Sequence, residues 1–136
     1  MPTAESEHPS VVEPVTERLW PLWVFRVTMT VTAALMFDQA VLAGQFMAGV
    51  YPALATHRDM ATVSGIAVIA TIVAAVLVRR RGGGSRWPIV ATSALLVLMA
   101  LQAFAGFRSL LGLHIPLGVM VIMLTVALTV WAWRKR

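Results

Sequence analysis

The chain has 136 residues, 59% of them hydrophobic and 12% charged, a balance that excludes a soluble globular domain. Its formal net charge of +5 comes from basic residues without interleaved stacking aromatics, which points to anionic lipid and away from nucleic acid. The absence of cysteine excludes disulfides, thiolate ligands, iron–sulfur clusters and covalent c-type haem attachment.

Residues 1–18 carry Glu5, Glu7, Glu13 and Glu17 with three prolines and little apolar content, so a disordered tail is predicted there. A basic n-region is missing, and the first apolar run is too long for the h-region of a cleavable signal. Residues 19–136 are predicted to form one membrane domain with spans over about 22–50, 57–78, 88–107 and 112–133, each near the ~20 residues that cross a bilayer. Uninterrupted apolar runs such as Leu95 to Leu101 lack the alternation of barrel strands, so the spans are read as helices that satisfy their own backbone. The expected fold is an all-α, four-transmembrane-helix bundle.

Basic residues orient it. Arg18, Arg79, Arg80, Arg81, Arg86, Arg134, Lys135 and Arg136 flank one side, against Arg58 and Arg108 on the other. The positive-inside rule then places both termini in the cytoplasm, and Trp20, Trp23, Trp87, Trp131 and Trp133 mark the inner interface. Arg26, in the first turns of span one, can snorkel to the inner headgroups.

Sliding the chain over itself by 57 residues matches Gln45, Ala48, Gly49 and His57 with Gln102, Ala105, Gly106 and His114. The bundle therefore reads as two pseudo-repeated helical hairpins, with a histidine opening the second span of each. At i+4 from the histidines stand Ala61 and Gly118, small residues that would let a flat macrocycle approach. Gln45 with Gly49, and Gln102 with Gly106, repeat the i+4 spacing at the ends of spans one and three, suited to close packing or hydrogen bonding across the bundle. Two equivalent imidazoles can ligate one iron, whereas they would fill only half of a tetrahedral zinc shell. Interfacial capping is the competing role for each histidine.

Asp38 breaks the repeat, its counterpart being Leu95. A carboxyl within a span must pair, hold a proton or face water, and Arg58 is the expected partner. Met99, Met120, Met123 and Phe104 are read as apolar filler.

The His pair, the His57-Arg58 step and the order of spans resemble one four-helix half of the haem A synthase family. That family carries Glu-x-x-His-Arg in its first outer loop, and here Leu54 stands in place of the glutamate. The resemblance implies haem holding, with the histidines as axial ligands, while the missing acid argues against the family's oxidation of a haem methyl group. Arg58 and Arg108 then become candidates for haem propionates, because a guanidinium pairs well with carboxylates.

The functional expectation is a b-type cytochrome of the bacterial inner membrane with one non-covalent haem b between His57 and His114. It would act in electron transfer or haem handling, with a quinone or other redox subunits as partners. The inner half has no histidine for a second haem, which argues against a transmembrane electron wire. The alternatives are a haem-free accessory subunit of a membrane complex and a small transporter that uses Asp38, in the latter case as a homo-oligomer.

Overall fold

A computed structural model describes residues 15–134, with side chains from residue 20 onward except at residue 82. Four helices follow one another: α1 (Val15–Met47), α2 (Ala53–Gly82), α3 (Trp87–Phe107) and α4 (Leu111–Arg134). All four are long and apolar enough to cross a membrane, and the described residues form no strand. The predicted tail is shorter than expected. Residues 15–18 already belong to α1, while the expectation for residues 1–14 lies outside the described residues.

The helices alternate in direction, and each packs on its neighbours: α1 on α2, α2 on α3, α3 on α4, and α4 back on α1. No diagonal pair of helices touches along its backbone, so the cross-section is a four-sided bundle around a shared interior. In α1 the buried positions Phe25, Met29, Thr32 and Met36 recur at intervals of three and four residues, the spacing that keeps one stripe of a helix turned inward. Val68, Thr71 and Ala75 do the same in α2, and Val121, Thr125, Leu128 and Ala132 in α4.

Buried threonines are a consequence of lipid as solvent. Aliphatic side chains gain nothing by leaving lipid for the bundle interior, so close packing and hydrogen bonds hold the helices together. Thr32, Thr71, Thr92 and Thr125 are almost fully buried, and each returns its hydroxyl to the carbonyl four residues earlier. Thr32 and Thr71 also meet each other at 3.2 Å, joining α1 to α2.

The two ends of the bundle differ. At one end the start of α1, the end of α4 and the end of α2 converge: Trp23 and Trp133 stack edge to face at 5.6 Å, Trp133 Nε1 donates to Thr30 Oγ1 at 3.1 Å, and Arg81 lies over Trp20. Arg79, Arg80 and Arg81 in the last turn of α2 and Arg86 in the linker share this end, the basic end of the bundle.

At the opposite end, the histidine end, packing loosens. No residue of α1 beyond Met36 and none of α4 before Val121 is buried. The inward stripes of these two helices therefore stop short of the turns.

Candidate functional site

The two hairpin turns at the histidine end are built alike. Helix α1 closes with Gly49 at φ 95°, where Val50 N–H donates to Gln45 O and Gly49 N–H to Phe46 O. Helix α3 closes with Ser109 at φ 57°, where Leu110 N–H donates to Ala105 O and Ser109 N–H to Gly106 O. Both are Schellman closures with a left-handed residue after the helix. The structurally equivalent residues are thus Gly49 and Ser109, sixty apart, while the histidines stand 57 apart. From the residue that anchors each histidine to the end of its helix, α1 runs three residues more than α3 (Gln39 to Met47 against Gln102 to Phe107), about 4.5 Å of helical rise.

That shift corrects part of the sequence repeat. His57 and His114 do correspond in space, since their rings meet edge to face across the diagonal of the bundle at 6.2 Å between centroids and 73° between planes. Gln45 and Gln102 do not correspond. Gln45 is exposed in the last turn of α1, where its carbonyl serves the helix closure, whereas Gln102 reaches His114. Gly49 and Gly106 also part company: one supplies the left-handed turn, the other lies within α3 against the His114 ring.

Each imidazole is anchored to its own hairpin. His57 Nδ1 lies 3.2 Å from Gln39 O on α1, and His114 Nδ1 lies 2.7 Å from Gln102 O on α3. A carbonyl oxygen can only accept, so in both rings Nδ1 carries a proton, which in the neutral imidazole leaves Nε2 its lone pair. This is the tautomer found in metal-binding histidines, whose other nitrogen donates to a carbonyl or carboxylate.

Small residues make the anchoring possible. A Cβ on Gly106 would fall 2.8 Å from both Cε1 and Nδ1 of His114, so only glycine lets the ring lie this close to α3. Gly118, one turn beyond His114, faces the Gln102 amide, where a Cβ would approach Nε2 to 3.4 Å. That amide lies 3.2 Å from His114 Nε2 and donates to its lone pair. Ala61 holds the equivalent place after His57 and is half-buried.

Gln39 is the site residue that sequence reasoning missed. Its backbone carbonyl anchors His57, and its side-chain nitrogen is buried without a hydrogen-bond partner. A main-chain acceptor leaves no mark in a sequence, and position 39 is matched by Leu96 at the repeat offset.

Arg58 and Arg108 are both exposed at this end, in the first turns of α2 and in the α3–α4 turn. The expected Asp38–Arg58 pair does not form: Asp38 is half-buried and no ion pair joins the two. One residue along a helix turns the side chain by about 100°, so the face that brings His57 toward α1 carries Arg58 away.

No known protein family, characterised protein or solved structure matches the chain. Among the described residues no group of three or more His, Cys, Asp or Glu is placed to hold a metal ion. The pair suits a group that needs two protein ligands and brings its own remaining donors. His57 and His114, with ring centroids 6.2 Å apart, are the residues that would hold such a group.

Proposed function

We propose that this protein binds one non-covalent haem b at the histidine end, where His57 and His114 would hold the iron, and works in electron transfer or haem handling. The observation that carries the reading is the pair of opposed imidazoles, each tied through Nδ1 to a carbonyl of the preceding helix. The half-open packing around them supports it, as does the small-residue lining at Gly106, Gly118 and Ala61. Arg58 and Arg108, both exposed at this end, are the cations assigned to the propionates in this reading. When bound, the haem would supply reversible one-electron exchange between ferrous and ferric iron.

The residues would do three things for it. The carbonyls of Gln39 and Gln102 fix the tautomer and orientation of each ring. The Gln102 amide, which caps His114 Nε2, must turn aside when that nitrogen becomes a ligand. The lipid-facing residues at this level, such as Phe104 and Val119, keep bulk water away. In this reading the basic end faces the cytoplasm of a bacterial inner membrane, and a quinone or another redox subunit is the electron partner. The haem-holding part of the haem A synthase resemblance is retained; haem modification is not proposed, because Leu54 cannot act as an acid or base.

Detergent-purified protein from haem-replete cells should show Soret and alpha bands that disappear in both His57→Ala and His114→Ala. Colourless wild-type protein under those conditions would refute the proposal. A second reading, a haem-free accessory subunit in which the histidines form a polar packing layer, is favoured by the Gln102 amide on His114 Nε2. It predicts colourless protein that is destabilised by either alanine variant.

A further inference from the structure

The basic end carries an arrangement unrelated to the histidines. Arg79, Arg80, Arg81, Arg86 and Arg134 all lie there, while Asp38 and Asp59, the acids among the described side chains, stand toward the other end. The histidine end is balanced, with two arginines against two aspartates. The molecule is therefore strongly polarised along the membrane normal.

Two of the end's arginines are held by tryptophan. The Arg81 guanidinium lies 4.8 Å over the Trp20 ring, bridging α2 and α1. Arg26 lies between Trp23 and Trp133, 5.3 and 5.4 Å from their centroids, and its Nε donates to Ala132 O at 3.1 Å, bridging α1 and α4. Tryptophan partitions to the headgroup layer, so these rings set the depth of the guanidinium groups at the level of lipid phosphates. A guanidinium held over a ring by cation–π attraction keeps N–H groups for hydrogen bonding, in a planar fork suited to two phosphate oxygens. Nothing among the described residues accepts from the Arg81 N–H groups. Arg80 and Arg81 are both exposed.

We propose that the Arg81–Trp20 station, with Arg80 beside it, is a binding site for the headgroup phosphate of an anionic phospholipid. Stacking holds Arg81 in place before the lipid arrives, which lowers the ordering cost of binding. The surrounding arginines raise the local positive potential and favour a lipid with net negative charge over a zwitterionic one. The bound lipid would seal the junction between α1 and α2 at the interface.

The test is delipidated full-length protein in neutral detergent, titrated with short-chain phosphatidylglycerol or phosphatidylcholine. Binding is read by tryptophan fluorescence and by lipid retained in native mass spectrometry. Phosphatidylglycerol should bind at least tenfold more tightly, and glycerol phosphate without acyl chains should not compete. Arg81→Gln should lose about fivefold, the factor one basic residue contributes near an anionic surface. Arg81→Lys keeps the charge but lacks the planar fork and should also lose affinity; Trp20→Leu should follow it, while Trp20→Phe should retain binding. Equal affinity for the two lipids would overturn the proposal. So would an Arg81→Lys protein that binds like wild type, since diffuse charge alone would then explain the preference.

Discussion

Gly106→Ala tests the histidine layer most directly, because the new methyl has a defined collision partner. It would sit 2.8 Å from Cε1 and Nδ1 and 3.6 Å from Cγ of His114, the face of a rigid ring and not the tip of a flexible chain. The ring must retreat, and the 2.7 Å bond to Gln102 O stretches or breaks. Overpacking of this kind costs about 1–3 kcal/mol, and loss of the hydrogen bond adds about 1 kcal/mol. Against these, alanine stabilises a helix over glycine by up to about 1 kcal/mol. The expected net is a destabilisation of about 1–3 kcal/mol, or roughly five- to 150-fold in the unfolding equilibrium. Gly44→Ala and Gly112→Ala are the controls, as a Cβ at either meets nothing within 4 Å. They should be neutral or slightly stabilising. The assay is unfolding in detergent followed by far-ultraviolet circular dichroism. A Gly106→Ala protein as stable as the controls would refute the close packing of His114 on α3.

The two turns give substitutions of opposite sign. Gly49→Ala forces a side chain into φ 95° and should lower the unfolding midpoint, whereas Ser109→Gly relieves φ 57° and should raise it, each by about 1 kcal/mol. Thr71→Val removes a hydroxyl that meets Thr32 at 3.2 Å, yet Thr32 keeps its bond to Thr28 O, so the loss should be about 0.6 kcal/mol in the same assay. Gln102→Ala removes the amide that competes for His114 Nε2. Haem titration followed at the Soret band should then show affinity raised by up to about tenfold, the worth of one hydrogen bond. Unchanged or weaker binding would mean that the amide does not compete with iron.

Helix number, helix type and the bounds of α3 and α4 were legible from hydropathy, because lipid leaves a chain of this composition few other solutions. The start of α1 was not legible, since residues 15–18 are polar enough to resemble the tail before them. The repeat paired two histidines that meet in space, but its partners Gln45 and Gly49 do not take the places of Gln102 and Gly106. Sequence identity aligns Gln45 with Gln102, but α3 runs three residues further before its left-handed closure, and that closure is made by Ser109, which gives no glycine signal. His57 consequently takes its carbonyl from Gln39, at a position no repeat or motif indicates.

The anchoring of each imidazole within its own hairpin has a mechanical meaning. His57 moves with α1 and α2, and His114 with α3 and α4, so the distance between the rings is a gauge of how far one hairpin is displaced from the other. Any ligand shared by the two rings would be a further crosslink between the hairpins, added to the packing of α1 on α4 and of α2 on α3. Occupancy would then be read in the spacing of the two hairpins.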